Sequence, residues 1–184
     1  MRKIIAIGGV PGTGKTTLMR NFIATIDDWE MVEPVKLLSC MYTKSKDCYI
    51  FGKYEEGEVF AGTDRLSMAV QPNAVEFLKS TQSNIIFEGD RLFNQSFLEV
   101  IMGLPNTDLQ IVYLTAPQST LESRYSDRGS EQSEKFLKGR ETKYNNLLSN
   151  FELMSYITEF PNTNLEEQRK VLEFLETNFT APEE

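Results

Sequence analysis

Residues Gly9-Val10-Pro11-Gly12-Thr13-Gly14-Lys15-Thr16 constrain this chain more than any other stretch, because they fill every fixed position of G-x-x-x-x-G-K-[ST]. Glycines at that spacing let the backbone curl until consecutive N–H groups face one point, and the helix that follows adds its partial positive charge there. Such a loop needs a buried strand before it and an amphipathic helix after it. Arg2 to Ile7 is an isoleucine-rich run, and Leu18, Phe22, Ile23 and Ile26 share one face of a helix predicted from Lys15 to about Asp27. The expected ligand is a nucleoside triphosphate with Mg²⁺. Gly9, Gly12, Thr13, Gly14 and Thr17 are its candidate binding residues; Lys15 reaches for the β- and γ-phosphates, and the Thr16 hydroxyl for the metal.

The rest of the chain alternates short apolar runs with helical patterns. Strands are predicted over Val35–Cys40, Asn84–Glu88, Leu109–Thr115 and, more weakly, Tyr156–Phe160. A hairpin is expected between Tyr49–Lys53 and Val59–Ala61, turning through Glu55-Glu56-Gly57. Helices are predicted over Arg65–Ser80 (with a break or restart at Pro72), around Phe97–Met102, after Pro117, over Ser133–Ser149 and from Leu165 to about Asn178. This order implies an α/β fold, a parallel sheet with helices on both faces, in one domain spanning 1–184. Ligands of such sheets bind beyond the carboxyl ends of the strands, so the residues after each strand carry the functional candidates.

Composition removes several classes of chemistry. There is no histidine, which excludes Ser-His-Asp hydrolysis and leaves a carboxylate, lysine, tyrosine or bound water as general base. Cys40 and Cys48 do not have zinc spacing and are expected as free thiols. A net charge of −8 argues against non-specific nucleic-acid binding unless cations gather on one face. No apolar run approaches the ~20 residues that cross a bilayer, and Gly8-Gly9 interrupt the N-terminal apolar stretch, so a cytoplasmic protein without a membrane partner is expected.

Two further stretches point to phosphoryl transfer. Ile85-Ile86-Phe87-Glu88-Gly89-Asp90-Arg91 is a buried strand ending in acids; Glu88 is the candidate metal ligand, with Asp90 close behind. Arg124 and Arg128 lie four apart on one helix face before a polar loop, a lid of about 127–134 that can close over phosphates and neutralise developing charge. No N-K-x-D guanine signature occurs. For the acceptor, the region of about 41–83 is expected to serve, with Asp64 orienting or deprotonating a hydroxyl, Asp90 as the other candidate to orient it, and Arg65 or Arg91 holding a phosphate. Tyr42, Tyr49, Phe51 and Tyr54 read as packing aromatics more than as base-stacking ones.

Taken together, GxPGTGKTT, the strand ending EGDR, YLTAP and R-x-x-x-R with a short lid resemble the nucleoside and nucleotide kinase group of P-loop kinases, in that group's order and over most of the chain. The resemblance implies a three-layer fold with a five-stranded parallel core and a small acceptor-binding insertion. It also implies ATP and Mg²⁺ as cofactors, an arginine-bearing lid, and an adenine-side loop at Asn162 to Asn164. The lid lacks the zinc cysteines of some adenylate kinases, so no zinc is expected, and either a monomer or a homodimer is open. Glu33-Pro34-Val35 and Arg124–Tyr144 loosely resemble deoxyribonucleoside kinases. Gly52–Pro72 is similar to a segment of small bacteriophage kinase-like proteins, some of which phosphorylate 5-hydroxymethyluracil in DNA. Three acceptors therefore stand open: a nucleoside, a nucleotide, or a modified base in DNA. A non-kinase P-loop ATPase or nucleotide-regulated binding module is the alternative outside kinases.

Overall fold

The computed structural model describes residues 1–128 and 133–179. The isoleucine run forms β1 (Arg2–Gly8), whose alternate side chains enter two separate cores: Ile4 and Ala6 on one face, Ile5 and Ile7 on the other. Burial on both faces is what a central parallel strand requires. The other strands are β2 (Trp29–Val35), β3 (Leu38–Thr43), β4 (Cys48–Phe51), β5 (Asn84–Glu88), β6 (Thr107–Thr115) and β7 (Ile157–Pro161), in the spatial order β2-β3-β4-β5-β1-β6-β7. From β4 to β7 every pairing is parallel, so the predicted five-stranded parallel core is present. The sheet nonetheless has seven strands, because β2 and β3 extend it antiparallel at one edge.

Among the described residues six helices follow the predicted order: α1 (Lys15–Ala24), α2 (Val70–Ser80), α3 (Gln95–Met102), α4 (Gln118–Arg128), α5 (Glu134–Leu148) and α6 (Leu165–Asn178). Leu18, Met19 and Phe22 of α1 meet Val171 and Leu175 of α6 over one sheet face. Val70, Ala74, Phe77 and Leu78 of α2, Phe97, Leu98 and Ile101 of α3, and Tyr144 and Leu147 of α5 cover the other. No described helix is long and apolar enough to cross a membrane.

Several local expectations are corrected. Val35–Cys40 is not one strand: Leu37 has φ 72°, and its N–H donates to Glu33 Oε1 at 2.9 Å, making the turn between β2 and β3. The hairpin through Glu55-Glu56-Gly57 does not form, since Val59 and Phe60 are exposed and only Lys53 and Gly62 bridge. The helix expected from Arg65 begins at Val70. Leu66 is extended, and Pro72 sits in the first turn, where a missing N–H costs nothing. α1 ends at Ala24 rather than near Asp27, with the Thr25 hydroxyl donating back to Phe22 O at 2.7 Å. Cys40 and Cys48 are buried free thiols, and burial pushes both well above the usual thiol range.

Candidate active site

The site is assembled where β1 and β5 end. The loop between β1 and α1 carries positive φ at Gly9, Gly12 and Gly14. At Gly14 the constraint is double, because a Cβ there would also lie 2.5 Å from Asn162 Nδ2. The first turn of α1 holds no acidic residue that would compete for its N–H groups. Lys15 Nζ donates to Gly9 O at 2.6 Å and Val10 O at 3.1 Å, keeping the ammonium over the loop.

Glu88 is the last residue of β5 and pairs with Ile7 of β1, which sets its carboxylate beside the start of the loop. Thr16 Oγ1 donates to Glu88 Oε1 at 3.2 Å, and Tyr54 OH donates to the same oxygen at 3.0 Å. With only 2% exposure, Glu88 has its pKa pushed up to about 7 by burial, held from rising further by Lys15 and the two hydroxyls. A hydroxyl and a carboxylate at the phosphate loop fit Mg²⁺, a hard ion that takes few protein oxygens and completes its shell with phosphates and water. Among the described residues no cluster of three or more His, Cys, Asp or Glu side chains stands ready for a metal.

The residues expected to serve the acceptor reach this point through one buried hydroxyl. Thr63 opens a short 3₁₀ turn, Thr63–Arg65, and donates to Glu88 O at 2.9 Å and Gly89 O at 3.0 Å. The segment can approach so closely because Gly62 has φ 68°, and a Cβ there would sit 2.7 Å from Glu88 Oε1. Asp64 then accepts the Arg91 N–H at 3.2 Å, its only hydrogen bond among the described residues. Burial, then the neighbouring Asp90, hold its pKa above the ordinary carboxylate value. Asp90 is engaged differently: it accepts the Tyr144 hydroxyl and pairs with Arg140 Nε at 3.4 Å and Lys143 Nζ at 3.5 Å, all from α5. Asp64, Asp90, Arg91 and Arg140 line a cavity of about 350 Å³ together with Phe60 and Phe136. Arg91 Nε is buried there without a hydrogen-bond partner. Arg65 lies elsewhere, 3.3 Å from Glu55 and 3.8 Å from Glu58, and does not line that cavity.

On the nucleotide side, Arg124 joins two loops. Its guanidinium donates to Gly12 O at 2.7 Å, Asn162 O at 2.8 Å and Thr163 O at 3.3 Å. Asn162, at the end of β7, donates from Nδ2 to Thr13 O at 2.7 Å. Gly14, Thr17, Arg124, Asn162, Thr163 and Gln168 contribute to a cavity of about 380 Å³ on this side. The Arg128 side chain and residues 129–132 of the predicted lid lie outside the described residues. A larger cavity, about 470 Å³, opens between α4 and α5 and is lined by neither Lys15 nor Glu88. Glu33 sits on the edge strand β2, four strands from β1.

Thus Lys15, Thr16 and Glu88 meet at the strand ends, Asp64, Asp90 and Arg91 share one cavity, and Arg65 stands apart. Tyr54, expected as a packing aromatic, instead bonds Glu88, and Phe60, Phe136 and Tyr144 join the site without a signal of their own in the sequence. Tyr54 and Glu88 are 34 residues apart, and their segments meet because β4 and β5 pair in parallel, with Ile50 opposite Ile86.

A family profile described as "P-loop Nucleotide Kinase3" matches residues 1–161. Among solved structures, a sugar kinase from Janibacter sp. is similar at 14% identity and TM-score 0.52, covering 98% of this chain and 99% of that one. A gluconokinase from Sinorhizobium meliloti is similar at 15% identity and TM-score 0.46, covering 98% and 100%. A shikimate kinase from Bacteroides thetaiotaomicron is similar at 18% identity and TM-score 0.43, covering 94% and 98%. No curated protein matches. At such identities the likeness to the Janibacter structure speaks to the fold alone.

Proposed function

Because the chain belongs to the P-loop nucleotide kinase family, we propose that it uses ATP and Mg²⁺ to phosphorylate a hydroxyl of a nucleoside, nucleotide or nucleic acid. The observation that carries this reading is the junction of two sites at one strand end. Thr63, bonded to the backbone of Glu88 and Gly89, joins the metal-side carboxylate to the cavity that holds Asp64. A P-loop ATPase without an acceptor has no need of that second, acid-lined cavity.

In this reading the loop N–H groups and Lys15 bind the triphosphate, and Arg124 with Asn162 keeps the nucleotide-side loop against the P-loop. Thr16 and Glu88 would hold Mg²⁺, which neutralises charge on the phosphate oxygens when bound. Asp64 takes the proton of the acceptor hydroxyl as its oxygen bonds to the γ-phosphorus. The bond from phosphorus to the β–γ bridging oxygen breaks, and ADP leaves. Asp64 suits the role better than Asp90, since it retains accepting capacity while Asp90 already serves a hydroxyl and two cations. Arg128 remains assigned to steadying the transferring group.

A neutral hydroxyl is favoured over a phosphate acceptor because Arg140 and Lys143 are already spent on Asp90. Arg91, with its unpartnered buried Nε, supports the second reading, a nucleoside monophosphate kinase. Within the first reading, the likeness of Gly52–Pro72 to phage proteins makes 5-hydroxymethyluracil in DNA the narrow assignment.

The test is transfer of labelled γ-phosphate with Mg²⁺ across deoxynucleosides, their monophosphates, gluconate, plain DNA and DNA carrying 5-hydroxymethyluracil. Label on the modified DNA alone establishes the narrow assignment. Label on a monophosphate transfers the role to Arg91. ATP turnover that no acceptor changes overturns the kinase reading.

A further inference from the structure

We infer that Phe60 and Phe136 form an aromatic clamp that receives the planar base of the acceptor, unstacked, between their rings. The inference rests on the kinase reading for the reaction and adds the residues that choose the substrate. Phe60 is 64% exposed and Phe136 42% exposed, yet both line the cavity that contains Asp64. Among the described residues neither ring pairs with another aromatic ring, although aromatic pairs run through both cores. What sets these two apart from a singly exposed phenylalanine such as Phe151 is that both border one cavity.

The two rings come from different places, Phe60 from the loop before the 3₁₀ turn and Phe136 from the first turn of α5. They stand at the exposed end of a cavity whose inner wall is polar: Asp64, Asp90 and Arg91 are each more buried than either ring. Flat apolar surface at the entrance and carboxylates within match a flat molecule carrying a hydroxyl. One face of Phe136 already carries a cation, because the Arg140 guanidinium carbon lies 4.9 Å from its centroid while Arg140 Nε holds Asp90. A base entering beside that guanidinium adds to an existing cation–π contact. The opening does not end at Phe136. A second cavity of about 410 Å³ shares Phe136 and Arg140 and continues to Lys135, Ser133 and Gly139. It leaves room, with a cation beside it, for the sugar-phosphate chain of a base presented from a strand. A base held between two rings cannot remain stacked on its own neighbours, so the substrate is single-stranded or turned out of its duplex.

The experiment uses the full chain and a single-stranded oligonucleotide containing 5-iodouracil, irradiated on the protein, with the adduct mapped by mass spectrometry. An adduct on Phe60 or Phe136 is expected. In parallel, Phe60→Ala and Phe136→Ala should each raise the acceptor KM on the order of ten- to a hundred-fold, by analogy with the loss of one stacking ring. The KM for ATP should not change, which also reports that each variant is folded. Phe60→Tyr and Phe136→Tyr should restore the acceptor KM, whereas leucine at either position should not. Leucine as effective as phenylalanine, or efficient transfer to a sugar lacking any base, overturns the clamp. The adduct at Phe60 or Phe136 without phosphoryl transfer to any acceptor removes the kinase reading and keeps the clamp as a base-binding site.

Discussion

Asp64 and Asp90 are near neighbours in one cavity, and their partners separate them. Asp90 is saturated by α5, whereas Asp64 accepts a single backbone N–H. Asp64→Asn should therefore lower kcat by ~10²–10⁴-fold, the usual scale of a lost general base, with thermal stability and ATP affinity retained. Asp90→Asn should instead lower the melting temperature, because Arg140 and Lys143 lose their shared counter-charge; equal melting temperatures for the two variants would contradict this division. Tyr54→Phe removes one of two hydroxyls on Glu88 Oε1. It should raise the Mg²⁺ concentration for half-maximal turnover ~10- to 100-fold, as loss of an outer-shell partner does, with little change in the maximal rate. Glu88 and Lys15 were legible in the sequence because each is fixed by its own short neighbourhood, a strand end and a glycine loop. Tyr54, Phe60 and Phe136 were not, since an aromatic side chain looks the same in sequence whether it fills a core or waits at a cavity mouth.

At the level of elements, the parallel core and most helices were legible because each has an apolar period matched to its length. α6 was placed at Leu165–Asn178 and β5 at Asn84–Glu88, as observed. Apart from the end of α1 and the start of α2, what was missed lies between Trp29 and Gly62, where edge strands alternate weakly and the turns depend on a single left-handed residue such as Leu37. Here Asp28 holds the β3–β4 turn. It accepts Thr43 Oγ1 at 2.5 Å, Ser45 Oγ at 2.9 Å and the Ser45 N–H at 2.8 Å, which lower its pKa from 3.8 to about 2. A carboxylate depressed in the folded state stabilises the fold above its unfolded pKa, and the contribution disappears as pH falls through the folded value. The stability difference between the parent and Asp28→Asn should be constant above about pH 5 and vanish between about pH 4 and 2. Denaturant unfolding at a series of pH values checks this, and a difference that persists at pH 2 would refute it.

For the whole molecule, the family match covers 1–161 and stops short of α6, yet α6 completes the core beneath the phosphate loop through Val171 and Leu175, with Phe179 just past its end. The charge of −8 did not forecast the cavity that holds Asp64, where α5 brings Arg140 and Lys143 to Asp90. The Thr63 hydroxyl, bonded at once to the carbonyls of Glu88 and Gly89, has a further effect. It ties the strand end that carries Glu88 to the segment that carries Asp64, and on the kinase reading the two ligands should therefore bind with one mutual factor. Whatever factor the acceptor contributes to the affinity for Mg²⁺-ATP, the nucleotide must return to the acceptor, since the two orders of loading reach the same ternary complex. Thr63→Val keeps the shape and removes both bonds, so calorimetry should find that mutual factor falling toward one while each ligand alone binds nearly as before. An unchanged factor would mean that the two substrates communicate by another route.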